Sequence, residues 1–262
     1  MATHKPYILF IGYGHLAKSL ITNNFKKNYN IHAINSKKNI ISINLKKKIN
    51  PKNTSYEYIF LLVRPNVFLK ESKKFIKFIN NKTKIVSCMA GIKLSTICNL
   101  LDTKKVIRIM PNIMAKYNKS QTFIFAKNKN ILNKNFNKLM KSFGTNHFTS
   151  NEDQINIATA VFGSGPAFIA LMINSYLLAA KNLSKRSQLK DIDLINLFQN
   201  VLLNNQNSKD LENFLNSIAS KKGTTQAGIK FLKSQNIKKI MYTTLDRAYK
   251  RARELSIEKE SS

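Results

Sequence analysis

The chain has 262 residues, 43% of them hydrophobic, and carries 44 Lys and Arg against 13 Asp and Glu, for a net charge of +31. That length and apolar content suit two cores and exclude a disordered polyelectrolyte. The lysines are scattered among Asn and Ile, as in Lys26-Lys27-Asn28-Tyr29-Asn30, with no single dense block, so the charge reads as compositional drift and no specific nucleic-acid partner is expected.

Two cysteines, Cys88 and Cys98, stand too far apart for a CxxC pair, which argues against a disulfide framework or a zinc site; no metal is expected. The start, Met1-Ala2-Thr3-His4-Lys5-Pro6, lacks the features of a signal peptide, so the expected location is cytoplasmic.

The run Tyr7-Ile8-Leu9-Phe10-Ile11 predicts a strand, 15–25 a helix and 31–34 a second strand. The turn between the first two is Gly12-Tyr13-Gly14-His15-Leu16-Ala17, which matches G-x-G-x-x-A. Its glycines permit a tight turn and close approach of a pyrophosphate to helix amides. Glycine-rich turns join many strands to helices, and the placement directly after the first strand is what gives this one weight. Ile11, Gly12, Tyr13, Gly14, His15 and Leu16 are therefore candidate dinucleotide contacts. The second strand ends in Asn35-Ser36-Lys37-Lys38, without the carboxylate that would hold the ribose hydroxyls of NAD. Ser36 and two lysines would accept a 2′-phosphate, which favours NADPH, with NADH still admissible.

Further strands are predicted at 58–63, 84–88, 106–110 and 122–126, with a helical segment at 67–79, an alternation that argues for a mainly parallel, doubly wound α/β sheet. After about Ser150 apolar residues recur at helical spacing through 155–162, 168–183, 194–203 and 240–255, so the second part should be all-helical. This predicts two domains, 1–150 and 151–262. The most apolar stretch, 167–180, is interrupted by Asn174 and Ser175 and falls short of the roughly 20 residues of a bilayer span, so it reads as a core helix with no membrane role.

Several segments, in order and spacing, resemble the pyrroline-5-carboxylate reductase family. In the first half these are Phe60-Leu61-Leu62-Val63-Arg64-Pro65, Val86-Ser87-Cys88-Met89-Ala90-Gly91 and Val106-Ile107-Arg108-Ile109-Met110-Pro111-Asn112. In the second they are Gly163-Ser164-Gly165-Pro166-Ala167, Gly223-Thr224-Thr225 with Ala227-Gly228, and Ala248-Tyr249-Lys250-Arg251-Ala252-Arg253-Glu254-Leu255. The resemblance covers nearly the whole chain. It implies an amino-terminal Rossmann domain followed by an all-α domain that binds substrate and forms dimers, or rings of dimers, through 167–183. The implied activity is NADPH-dependent reduction of a cyclic imine, 1-pyrroline-5-carboxylate, to L-proline at the end of proline biosynthesis. Val63, Arg64, Pro65, Cys88 and Ala90 would border the cofactor.

Reduction of a cyclic imine needs a hydride donor beside the C=N carbon, a group that polarises the nitrogen and an anchor for the carboxylate. By the same resemblance, Thr225 would be the catalytic residue, its hydroxyl on the ring nitrogen, while Ser220 and the amides of Thr224 and Thr225 hold the carboxylate. Glu152 falls where the family has an acid near the substrate, and Ser217 where it has an asparagine. An ordinary helix cap is the competing reading of Thr225, and a solvated helix start that of Glu152. Lys221-Lys222 replaces a family Pro-Gly, Asn112-Ile113-Met114 replaces Asn-Thr-Pro, and Arg64 replaces lysine. These departures keep two alternatives open: a related NADP-dependent imine or β-hydroxyacid reductase, and a degenerate paralogue that binds nucleotide or nucleic acid without turnover.

Overall fold

The structure, a computed structural model, describes residues 5–51, 54–184 and 189–257. The chain forms two compact units: one runs up to Ser164 and takes in the segment from Arg247 onward, the other is Gly165–Asp246.

In the first unit, β1 (Tyr7–Ile11), α1 (His15–Leu20), α2 (Asn23–Asn28), β2 (Asn30–Ile34), β3 (Ile40–Ser42), β4 (Lys47–Lys48) and β5 (Tyr56–Leu61) come first. They are followed by α3 (Pro65–Glu71) with a 3₁₀ extension, β6 (Lys84–Ser87), α4 (Leu94–Leu101) and β7 (Val106–Met110). β8 (Ser120–Phe125), α5 (Lys134–Lys141), β9 (Gly144–Thr149) and α6 (Gln154–Ala158) complete it, and α6 runs on into a π-helical turn, Thr159–Ser164. The strands form one sheet in the order β4-β3-β2-β1-β5-β6-β7-β8-β9. From β2 to β7 every pairing is parallel, whereas β8 runs antiparallel to β7.

Both faces of the parallel strands are covered, and the two-residue period of a strand decides which residue meets which face. Ile8, Phe10, Tyr58, Phe60, Val86, Ile107 and Ile109 join one buried cluster. Their neighbours Leu9, Ile11, Ile59, Leu61, Ile85 and Val106 join the other. The predicted helix at 15–25 is two helices, because the Thr22 hydroxyl accepts from the Phe25 amide at 3.2 Å and starts α2 afresh.

The second unit holds α7 (Gly165–Leu183), α8 (Asp191–Asn204), α9 (Ser208–Ile218), α10 (Thr224–Ser234) and the first part of α11 (Ile237–Ile257), whose remainder from Arg247 belongs to the first unit. The expectation that 167–180 is a short core helix is corrected. The helix is continuous over Gln154–Leu183, 30 residues, and by length and composition alone could cross a membrane. Ser175 does not interrupt it, because its hydroxyl donates to the Leu171 carbonyl one turn back at 2.8 Å. Nor is the helix a core within this chain: Ile169, Leu171, Met172, Tyr176 and Leu178 are exposed, and Leu194 is the one buried large apolar side chain of this unit among the described residues.

Candidate functional site

The glycine turn sits at the carboxyl end of β1, in the middle of the parallel sheet, where doubly wound folds bind ligands. Gly12 has φ +102°, and a Cβ there would lie 2.7 Å from the Leu62 carbonyl carbon and oxygen, so only glycine lets the β1 turn pack onto the end of β5. Its amide donates to the Ile34 carbonyl at 3.1 Å, which ties the end of β2 to the same point. Gly14 differs: a Cβ there would meet nothing within 4 Å, so its missing side chain leaves open space at the start of α1. One glycine closes the turn and the other keeps a face clear, a pairing that fits a pyrophosphate lying against the turn. His15 and Leu16 follow in α1, and Lys18 reaches back over the Tyr13 ring at 5.6 Å.

Around this turn the structure places Ser36 on an exposed bend beyond β2. The bend is fixed by the Asn35 side-chain oxygen, which accepts from the amides of Lys37 and Asn39 at 3.0 and 3.1 Å. The strand end carries no carboxylate, yet the fold supplies one: Lys38 pairs with Glu71 of α3 at 2.9 Å, and Lys74 joins at 3.2 Å. Those two ammonium groups hold the Glu71 carboxyl below its ordinary value. Of the two lysines read as phosphate partners, Lys38 is thus already committed, whereas Lys37 has no ion-pair partner among the described residues. Val63 and exposed Arg64 precede α3, which Pro65 opens at a position where a missing N–H removes nothing.

Cys88 is buried after β6, its amide donating to the Leu61 carbonyl at 3.0 Å, and burial pushes its thiol well up. Ala90 packs with Met110, Ile155 and Ala158. Gly91, with φ +68°, lies where a Cβ would meet Leu255 at 2.2 Å, so glycine lets the end of α11 rest on the loop after β6.

Glu152 has two partners on one oxygen. Its Oε1 accepts from Arg108 Nη1 at 2.6 Å and from the Leu94 amide, at the start of α4, at 2.7 Å. Arg108 is 1% exposed, and its Nε and Nη2 have no hydrogen-bond partner among the described residues. Burial pulls the guanidinium below its ordinary value, while Glu152 and Asp153 oppose that pull. Next along the chain, Asp153 accepts from Tyr249 Oη at 2.6 Å and Asn156 Nδ2 at 2.9 Å. Burial works against its ionisation, but these bonds and the charges of Arg253 and Arg108 outweigh it and keep its carboxyl low. The Arg108 ion pair and the Asp153–Tyr249 bond carried no prediction. The available signal was an arginine inside the otherwise apolar run Val106-Ile107-Arg108-Ile109-Met110, a buried charge that demands a partner.

Ser217, Ser220, Thr224 and Thr225 all lie in the second unit, and Glu152 with every predicted cofactor residue in the first. The Ser217 hydroxyl donates back to the Phe214 carbonyl at 2.8 Å. Ser220 Oγ stands close against Gly223, 2.5 Å from where a Cβ on that residue would sit. Lys222 takes φ +62° despite its side chain, and its amide donates to Gln226 Oε1 at 2.7 Å. Lysine here takes the left-handed conformation that glycine adopts at less cost. Gly223 is the N-cap of α10, and no side chain caps this helix. Thr224 and Thr225 hence offer first-turn amides that have no acceptor within the helix. The Thr225 hydroxyl makes no hydrogen bond among the described residues, so it is not the ordinary cap that was the competing reading.

A parallel doubly wound sheet with a glycine turn at its central strand, followed by a helical unit, defines the class of NAD(P)-type dinucleotide-binding proteins. A family model described as pyrroline-5-carboxylate reductase dimerisation matches residues 152–255. The pyrroline-5-carboxylate reductase of Staphylococcus haemolyticus is 32% identical over 204 residues, 76% of this chain and 75% of that protein. The Staphylococcus epidermidis protein of the same name is 28% identical over 265 residues, 95% of this chain and 97% of its own. Among solved structures, the NADP-bound pyrroline carboxylate reductase of Plasmodium falciparum superposes with a TM-score of 0.77 at 17% identity, covering 98% of this chain and 99% of that one. The Streptococcus pyogenes 1-pyrroline-5-carboxylate reductase gives 0.72 at 22%, over 95% and 98%. The chain belongs to the pyrroline-5-carboxylate reductase family.

Proposed function

We propose that this protein reduces 1-pyrroline-5-carboxylate to L-proline with NADPH, in the cytoplasm, as the last step of proline biosynthesis. Residues 1–150 hold the dinucleotide, and 151–262 supply substrate contacts and the contact with a second copy of the chain. When bound, the dinucleotide supplies the hydride; the chain itself binds, orients and sets charge. The Gly12 to Leu16 turn receives the pyrophosphate, with Gly14 leaving it room, and Ser36 with Lys37 faces the 2′-phosphate. Val63, Arg64, Pro65, Cys88 and Ala90 line the rim of the sheet on which the cofactor rests. The Thr224 and Thr225 amides and Ser220 take the substrate carboxylate, and the Thr225 hydroxyl holds the ring nitrogen. Glu152, with one oxygen held by Arg108, is the further substrate contact of this reading.

Family membership, together with a Thr225 hydroxyl that makes no hydrogen bond among the described residues, carries this reading. The exposed apolar faces of α7 support a homodimer, and rings of such dimers are a natural extension. Lys221 and Lys222, in place of Pro-Gly, favour one second reading, an NADP-dependent reductase of a related imine. The test is loss of reduced-nicotinamide absorbance when purified protein is mixed with pyrroline-5-carboxylate and NADPH or NADH, with Thr225→Ala as control. Turnover of other imines in preference to pyrroline-5-carboxylate would select the second reading.

A further inference from the structure

The motif Met110-Pro111-Asn112 makes a hydrogen bond to the residue just before a second motif, Gly163-Ser164-Gly165-Pro166, and neither motif explains it alone. Pro166 lies inside the continuous helix Gln154–Leu183 and has no N–H, so it cannot serve the carbonyl four residues earlier, that of Phe162. That carbonyl instead accepts from Asn112 Nδ2, 3.0 Å away in the loop after β7. The turn that precedes Pro166, Thr159–Ser164, is π-helical, a geometry that widens the helix by one residue.

Asn112 is itself built in. It is buried, its amide donates to Ser120 Oγ at 3.0 Å, Ser120 Oγ lies 3.0 Å from Thr122 Oγ1, and its Oδ1 accepts from the Met114 amide at 3.0 Å. Phe162 is held from its other side by stacking on Phe123, ring centroids 5.2 Å apart. A Cβ on Gly163 would lie 3.7 Å from Met110 Sδ, at the carboxyl end of β7 and therefore on the sheet edge that carries the candidate cofactor site.

We propose that Asn112 is a positioning residue that supplies the donor Pro166 withholds from the Phe162 carbonyl and so keeps residues 159–164 in the wider register. Without it, the turn relaxes towards an ordinary α-helix, and Gly163 and Ser164 rotate by about 100° around the axis. The activity arm of this inference rests on the reductase reading; the hydrogen bond does not.

The experiment compares wild type, Asn112→Ala, Pro166→Ala and the double variant by melting temperature, NADPH fluorescence titration and imine reduction. Asn112→Ala lowers the melting temperature by about 3–8 °C. With alanine at 166 an amide is available to Phe162, so the same change costs about 2–4 °C less; the lost Met114 contact is common to both backgrounds and cancels. The kcat of Asn112→Ala and of the double variant falls about tenfold, the equivalent of one displaced contact, while NADPH affinity changes by less than about twofold. Equal melting losses in both backgrounds overturn the substitution of one donor for another. A double variant with wild-type kcat overturns the positioning role. Should Asn112→Ala not fold, recovery of folded protein on adding Pro166→Ala supports the proposal, and failure to recover overturns it. Wild type inactive on every imine sinks the reductase reading instead, and the melting cycle still decides the bond.

Discussion

Lys222 is the residue whose replacement should make this protein more stable. It sits at φ +62°, in the left-handed region, where a side chain crowds the following carbonyl at about 1–2 kcal/mol. Glycine removes that strain but brings back about 0.5–1 kcal/mol of unfolded-chain freedom. The side chain is exposed, and the bend is held by backbone amides, that of Lys222 on Gln226 Oε1 and that of Gly223 on the Ser220 carbonyl, so Lys222→Gly gives up no packing and keeps both bonds. The net gain is about 0.5–1 kcal/mol, or a melting temperature higher by about 1–4 °C in a chain of this size. Equilibrium urea unfolding at one fixed protein concentration measures it as a higher midpoint at unchanged slope. Lys222→Ala is the control, because alanine resists the same region and should leave the midpoint where it is. A midpoint that falls in the glycine variant would refute the reasoning, since the lysine side chain would then be holding the bend rather than straining it.

Thr225→Ala should lower kcat/KM for the imine by about 10- to 100-fold with an unchanged melting temperature, because its hydroxyl has no partner to lose among the described residues. Steady-state kinetics and a thermal melt check the two halves. Gly12→Ala drives a methyl into the Leu62 carbonyl and should depress both melting temperature and NADPH affinity, whereas Gly14→Ala, with open space around its Cβ, should weaken NADPH binding alone. Fluorescence titration beside a melt separates them. His32, buried against Tyr56 Oη at 2.8 Å, has its pKa lowered by burial. Its contribution is then present above the unfolded value of about 6.5 and lost as pH falls through it towards the lower folded value. Unfolding midpoints at about pH 7.5 and about pH 5.5 should differ less in His32→Gln than in the wild type.

Strands with both faces buried announce themselves as mainly apolar runs, unbroken in β1 and broken only by Arg108 in β7, which is why both were legible to the residue. Edge strands do not. β4 is two exposed lysines, and β9 reads Gly-Thr-Asn-His-Phe-Thr, a run whose pairing with β8 comes from its neighbour rather than its own composition. α4 and α5 were missed because each is eight residues long, about two turns, too short for a helical period to stand out. The glycine turn was legible because a motif and a strand coincided there, but the difference between Gly12 and Gly14 was not: it depends on Leu62, fifty residues on. The same holds for Glu152, where the sequence offers a carboxylate and only the fold reveals that Arg108 and the start of α4 hold one of its oxygens.

The second unit poses the sharper physical question, because a helix apolar on every side has to be covered by something. Its own chain covers α7 in part: Tyr176 meets Phe198 of α8 edge-on, ring centroids 5.2 Å apart, and Lys181 pairs with Asp191 at 2.6 Å. Exposed Ile169, Leu171, Met172 and Leu178 remain, along with Leu197, Leu202 and Leu203 on α8 and Phe231 on α10. A bilayer would cover α7 but would strand that ion pair and the charged first turn of α8, with Asp191 and Asp193, at the point where α8 packs against it. A second copy of the same unit presents apolar faces of the same kind and no such cost, and the family model that spans this region is one for dimerisation. On this reading the second unit has too little core of its own because its core is completed by its twin, and its stability is inseparable from protein concentration.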